Sequence, residues 1–353
     1  MYPRLVIDTD KIARNVRTVT GLLAERGLRC VGVTKDVCGE PRIARVFAEN
    51  GVAAIADSRI ENLMRNTELP CEKWLIRIPQ PSDAERVVTY ADVSLNSETS
   101  TIQALDSACE RLGRTHKVVL MYDLGDLREG FVSRDELMAC AEECMRLERV
   151  QLAGVGANLN CLSFIQPDTP KLEELCSVAD ELRQRYGLAD LYVSGGNSAT
   201  IDLMLTEGLP AGVTDLRLGE GLLFGRERAR YQYLDGTHND AFIIEAEVVE
   251  AKRKPSAPWG TAGPDSYGVI HTFEDCGEQV RAILAVGNQD IDTEVMWPVD
   301  ERIRIIAASS DHTILDVTAA AEAYPVGSIV QLRCGYHAAL HAFTSPYIEK
   351  AWA

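Results

Sequence analysis

The chain has 353 residues, 46% apolar and 25% charged, an ordinary globular balance with length enough for two domains or one large α/β barrel with an appendage. Its formal charge of −17 at pH 7 argues against nucleic acid or an anionic membrane surface as partner. No stretch approaches the run of about 18 apolar residues that a membrane span needs. The opening residues resemble neither a signal nor a transit peptide, and the ten scattered cysteines show no CxxC pair and no ligand-like spacing. Reduced thiols, a cytoplasmic setting and no metal are therefore expected.

An amphipathic stretch over residues 10–25 predicts an opening helix. Short β-rich runs then predict strands over 29–34, 53–56, 74–77, 92–95, 117–122, 151–156, 190–193 and 214–218. Between them, 3.6-type spacing predicts helices over 41–49, 59–66, 83–89, 97–111, 134–147, 171–186 and 199–207. Eight strands alternating with helices predict a closed (β/α)8 TIM-type barrel. A doubly wound open sheet would need a Gly-rich turn after the first strand, and Lys35-Asp36-Val37-Cys38-Gly39-Glu40 has a single glycine. After Gly225 the texture changes to strand-like runs at 242–250, 279–287, 302–307, 313–317 and 328–334, with Pro- and Gly-rich turns and almost no helical period. The expected organisation is a barrel over 1–228 followed by an all-β domain over 229–353, with 226–240 as connector.

In a parallel barrel the chemistry sits at the C-terminal strand ends. Lys35 ends the first strand, where burial is expensive for an ammonium unless it has a partner or a chemical role. The leading role is a Schiff base to a carbonyl, of a substrate or of pyridoxal phosphate; the plain alternative is a lysine that emerges into solvent. Other strand ends carry Asp57, Arg77, Asn96, Asp123 with Arg128, Asn158 with Asn160 and Cys161, Ser194-Gly195-Gly196-Asn197-Ser198, and Arg217-Leu218-Gly219-Glu220. The turn holding Ser194, Gly195, Asn197 and Ser198 can offer backbone amides to an anion, or be an ordinary capped turn. Arg217 can pair with a surface carboxylate or donate to a heterocycle nitrogen. Around Arg128, three carboxylates suggest a salt-bridged loop, or, beside a Schiff-base lysine, a site for a substrate carboxylate or a phenolate oxygen.

Lys35, Asp123-x-Gly125-x-x-Arg128-x-Gly130-Phe131, Asn197-Ser198 and Arg217-x-Gly219 together resemble the alanine racemase-like, fold-type III enzymes that use pyridoxal 5′-phosphate. Longer strings, among them Asp123-Leu124-Gly125-Asp126-Leu127-Arg128-Glu129-Gly130 and Ser309-Ser310-Asp311-His312, look like the ornithine racemase branch. The resemblance runs the whole length and implies a homodimer in which the partner's β domain caps each site. It implies that Lys35 holds the cofactor and acts as one acid/base. Ser198, the backbone of Gly219 and Glu220, and Tyr347 would bind phosphate. Arg217 would face the pyridine nitrogen and Arg128 the phenolate oxygen. Asn158 stands where alanine racemases stack a histidine on the ring. The second acid/base is assigned to His312, with Tyr267 as the alternative, since a histidine titrates near neutrality.

The implied activity is interconversion of L- and D-ornithine, and of lysine, by two acid/bases on opposite sides of the α-carbon. An arginine opposite the pyridine nitrogen suits racemisation better than transamination, because it keeps its proton. Alanine or broad-specificity racemisation are the alternatives within the class. A non-catalytic pyridoxal-phosphate homeostasis protein is the alternative outside it, and the domain after Gly225 argues for the enzyme.

Overall fold

Short runs in which successive residues are all apolar or small cannot leave one face in water, and such runs pack as parallel strands covered on both sides. The structure, a computed structural model, describes residues 1–264, 268–270 and 272–353. In chain order, β1 (Arg4–Ile7) and α1 (Thr9–Ala24) precede eight barrel strands. These are β2 (Arg29–Val33), β3 (Ala54–Asp57), β4 (Glu72–Leu75), β5 (Val93–Asn96), β6 (His116–Met121), β7 (Val150–Gly156), β8 (Tyr192–Ser194) and β9 (Asp215–Leu218). They close in sequence order, β2 pairing in parallel with β9.

The helices that follow the strands are α2 (Pro41–Glu49), α3 (Ile60–Met64), α4 (Ala84–Tyr90), α5 (Thr99–Leu112), α6 (Arg134–Cys144), α7 (Thr169–Tyr186), α8 (Thr200–Thr206) and α9 (Glu220–Leu223). Alternate residues of the strands, Val31 and Val33, Ala54 and Ala56, Val93 and Leu95, Val119 and Met121, join Trp74 in one buried cluster. Gly32 is required where α2 closes on β2, since a Cβ there would stand 2.7 Å from the Phe47 ring. Each of the eight expected strands is present, with its ends shifted by at most two residues.

The second unit comprises Met1–Asp8 and Phe242–Ala353. Its strands are β10 (Phe242–Pro255), β11 (Glu278–Leu284), β12 (Met296–Pro298), β13 (Arg304–Ala308), β14 (Thr313–Asp316), β15 (Ile329–Cys334) and β16 (Glu349–Trp352). They run in the order β12-β15-β10-β11-β14-β13, with β1 antiparallel to β10 and parallel to β16. One helix, α10 (Tyr336–Thr344), buries Ala338, Ala339 and Ala342 and was not foreseen in a domain read as all-β.

The division between units falls at 241/242, not at 228/229, and the first eight residues belong with the β domain. The reasons are hydrogen bonds. The segment before Phe242 is tied to α1, where the Asn15 side chain donates to the His238 carbonyl (2.8 Å) and accepts from its N–H (2.6 Å). Lys11 donates to the Asp240 carboxylate at 2.8 Å. β1 is four residues long and too short to betray its partners from sequence. Its Leu5 and Ile7 are fully buried. Leu5→Ala should cost about 2–5 kcal/mol through the lost contacts and the cavity left behind. Denaturant unfolding of the full chain should show the loss, with hydrogen exchange accelerated at the β10 amides.

Candidate active site

Past its exposed first residue, Arg29, β2 is apolar or small until Thr34 and Lys35, so a polar end falls at the C-terminal mouth of the barrel. The Thr34 hydroxyl donates to Asp57 Oδ2 at 2.8 Å, while Asp57 Oδ1 accepts from the Asn62 side chain and the Arg59 N–H, both at 2.9 Å. Burial pushes the Asp57 carboxyl up, and those hydrogen bonds work against it. This network ties the end of β2 to that of β3. Lys35 opens the single-turn helix Lys35–Val37 that follows. It is half-buried, and its side-chain amine makes no hydrogen bond or ion pair with any described residue. Burial lowers its pKa, with Arg128 and Arg228 adding to the effect and Cys161 and Asp36 opposing it. A lysine shifted toward its free amine is a better nucleophile and base than one in open solvent.

The ends of β8 and β9 hold a guanidinium and an anion cradle. Ser194 lies within β8, fully buried, and its hydroxyl donates to Asp215 Oδ1 at 2.5 Å while accepting from Arg217 Nη1 at 2.6 Å. Arg217 Nη2 donates to the Ala157 carbonyl at 2.7 Å. Ser194 therefore positions Arg217 and does not face the turn. The Gly195 N–H is also committed, to the Asp215 carbonyl at 3.0 Å. The cradle begins one residue later: the N–H groups of Gly196, Asn197, Ser198, Gly219 and Glu220 donate to no described residue. Gly196 has φ +116° and its absent Cβ would stand 2.5 Å from Thr200 Oγ1, so this glycine is required. Ser198 Oγ accepts from the Gly221 N–H at 3.1 Å and so joins the two turns. Asn197 braces its neighbours, donating to the Leu159 carbonyl at 2.7 Å and to Asn158 Oδ1 at 3.2 Å, which leaves the buried Asn158 Nδ2 without a partner.

The three carboxylates expected around Arg128 separate into different tasks. Asp123 Oδ1 accepts from the N–H groups of Gly125 (2.8 Å) and Leu127 (3.1 Å). Asp126, almost fully buried, accepts from the backbone N–H groups of Cys161, Leu162, Ser163 and Ile165. Glu129 alone among them pairs with Arg128, through both of its oxygens. Arg128 Nη1 also donates to Cys161 Sγ at 2.8 Å. The Asp126 clamp, which holds the loop 161–165 against the loop after β6, was not foreseen. No spacing signal marks a carboxylate whose partners are backbone amides distant in sequence.

In the second unit, Tyr347 is 66% exposed, with its N–H donating to Ser345 Oγ at 3.1 Å. His312 is exposed in the turn before β14, its N–H donating to Ser309 Oγ at 3.2 Å. Tyr267 lies outside the described residues.

The family model described as "Alanine racemase, N-terminal domain" matches residues 7–227. The chain is 42% identical to an ornithine racemase of Acetoanaerobium sticklandii over 350 residues, 99% of both chains. It is 35% identical to a lysine racemase of Thermotoga maritima over 354 residues, covering 100% of this chain and 99% of that one. Among solved structures, an alanine racemase of Clostridium difficile 630 superposes with a TM-score of 0.76 at 16% identity, over 99% of this chain and 95% of the other. That likeness shows a shared fold. Identity and coverage of this extent make the chain a member of the alanine racemase family.

Proposed function

We propose that the chain is a cytoplasmic, pyridoxal-phosphate-dependent racemase that interconverts L- and D-ornithine and also takes lysine. The observation that carries the cofactor is a half-buried, unpartnered amine at Lys35 in the same barrel mouth as a cradle of uncommitted N–H groups. Each part of the cofactor has a complementary group. Lys35 suits the aldehyde and the N–H groups of residues 196–198 and 219–220 suit the phosphate, with Ser198 bracing the two turns. Arg217 suits the ring nitrogen and Arg128 the phenolate oxygen together with the substrate carboxylate beside it, while the free Asn158 Nδ2 suits the ring's vicinity. The cofactor, when bound, supplies the electron sink that acidifies the α-proton of an amino acid.

The chain's own residues then manage charge and protons. Lys35 Nζ accepts the α-proton on one side and returns one there in the reverse direction. Arg217 keeps its proton and so holds the ring nitrogen by a hydrogen bond without protonating it. His312 serves the opposite side, and Tyr347 adds a phosphate contact. Both belong to the β domain, and in a homodimer that domain would complete the site of the other copy. The exposure of both side chains and the family resemblance support this arrangement. The substrate assignment rests on the full-length likeness to ornithine and lysine racemases.

Chiral chromatography of purified protein, supplied with the cofactor and a panel of L-amino acids, tests the reading. L-Ornithine should reach a racemic mixture fastest, and borohydride should fix the cofactor on Lys35. Lys35→Ala should lose both the adduct and at least a thousandfold of the turnover, as expected when a combined attachment point and base is removed. Preferred turnover of alanine, or an adduct on a different lysine, overturns it.

The depressed Lys35 pKa has a sign that can be checked without cofactor. Below its pKa the amine is protonated and inert, so a lowered pKa moves reactivity to lower pH. Acylation of Lys35 in the cofactor-free protein, followed by peptide mass spectrometry, should rise at a lower pH than in a lysine model peptide. A profile at or above that of the peptide contradicts the buried-amine account.

The second acid/base is tested by α-deuterium exchange measured separately from L- and D-ornithine. His312→Asn should slow exchange from one enantiomer at least tenfold more than from the other. If neither direction slows, or if Tyr267→Phe alone creates the asymmetry, His312 is not the base.

A further inference from the structure

Most carboxylates at the barrel mouth are committed to partners that cannot leave. Asp57 holds the end of β2, Asp126 holds four backbone amides, and Asp123 holds two. Glu220 is paired with Arg226, with Nε at 2.6 Å from its Oε1. Asp36 is sealed from solvent with neither oxygen partnered. Glu129 differs from all of these. Its carboxylate accepts nothing from the backbone and is held by Arg128 alone. That partner is itself a fork shaped for carboxylates.

The backbone under Glu129 is rigid. The Phe131 N–H donates to the Met121 carbonyl and the Asp123 N–H to the Phe131 carbonyl, both at 2.9 Å. Gly130 has φ +130°, and a Cβ there would stand 2.7 Å from the Asp123 nitrogen. The Glu129 side chain is 13% exposed and that of Arg128 32%. Arg128 also holds Cys161 Sγ, in the loop after β7, at 2.8 Å, which sets the pair at the C-terminal mouth of the barrel, where its charges act on Lys35 and Arg217.

We propose that Glu129 is the specificity-determining carboxylate of the site, receiving the distal ammonium of a dibasic amino acid as the substrate carboxylate takes its place on Arg128. The proposal rests on the racemase reading above and names the residue that selects the side chain. The exchange conserves charge. One neutral ion pair, Arg128 with Glu129, becomes two, Arg128 with the substrate carboxylate and Glu129 with the substrate ammonium. An amino acid with an uncharged side chain would take Arg128 and leave Glu129 mostly buried with no counter-ion. Leaving a largely shielded carboxylate without its counter-ion is unfavourable, though less so than in a fully buried pair, so the pair disfavours such a substrate as well as welcoming a dibasic one.

The ratio of kcat/KM for L-ornithine to that for L-norvaline, which lacks the ammonium, reads the proposal directly. In Glu129→Gln the ratio should fall at least tenfold, chiefly through KM for ornithine. Glu129→Asp, which keeps the charge on a shorter arm, should lower it less, and decides the matter should the amide variant fail to fold. An unchanged ratio in the folded variants overturns the proposal. Equal losses on both substrates also overturn it, because Glu129 would then merely prop Arg128. Turnover of no amino acid by the wild-type protein overturns the racemase reading and this proposal with it, an outcome distinct from either of the others.

Discussion

The arrangement at the barrel mouth depends on the parallel pairing of β2 with β9. Closing the barrel sets Gly32 beside Leu218, and the chain then leaves both strands at one level. That brings the Lys35 turn alongside Gly219, whose absent Cβ would stand 3.3 Å from the Val33 carbonyl oxygen. A slip of one residue would turn Val31 and Val33 out of the buried cluster and Cys30 and Gly32 into it. The apolar interior therefore enforces the register, and the register places an amine beside an anion cradle. Stability and chemistry share one constraint here, at opposite ends of the same strands.

Two guanidiniums at that mouth are held in opposite ways. Arg217 is bound to the Ala157 carbonyl and the Ser194 hydroxyl, groups built into β7 and β8 or their ends, with Asp215 accepting the hydrogen bond of the Ser194 hydroxyl. None of these partners can move without opening the barrel. Arg128 sits in a loop and is neutralised by the residue next to it in sequence. Its pKa is raised against the effect of burial by the hydrogen bonds and charge of Glu129. A guanidinium meant to stay beside one atom is best tied to backbone. One tied to a neighbouring side chain can exchange that partner for another carboxylate.

The barrel was legible because its period is strong: eight apolar runs separated by amphipathic stretches leave few other architectures. The placement of Lys35, the 194–198 turn and Arg217 at strand ends was legible because this architecture gathers polar groups there. Side-chain direction was not. Ser194 and Gly195 stand in the turn's sequence string, yet one is a strand residue holding Arg217 and the other has spent its N–H on Asp215. Gly196, left out of the expected site, supplies the first uncommitted amide. β1 was missed because four residues carry no detectable period, and its partners β10 and β16 lie more than two hundred residues away. The boundary was set too early because the polar segment 226–240 reads as a linker, whereas Asn15 and Lys11 bind it to α1.

The mouth is also organised by what it withholds from its carboxylates. Asp126 and Asp123 are stabilised by backbone dipoles, which orient loops without bringing a mobile cation to the site. Asp36, next to Lys35 in sequence, has its carboxyl pushed well up by burial and then by the Glu220 charge, which favours the neutral acid. An ionised carboxylate there would draw a proton onto Lys35 and silence the amine. Burial of Asp36 weakens that pull without removing it: Asp36 and Cys161 oppose the downward effect of burial on Lys35, and the cations Arg128 and Arg228 reinforce it. The same low-dielectric packing thus pushes the carboxyl up and the amine down, each toward its uncharged form, before any ligand arrives.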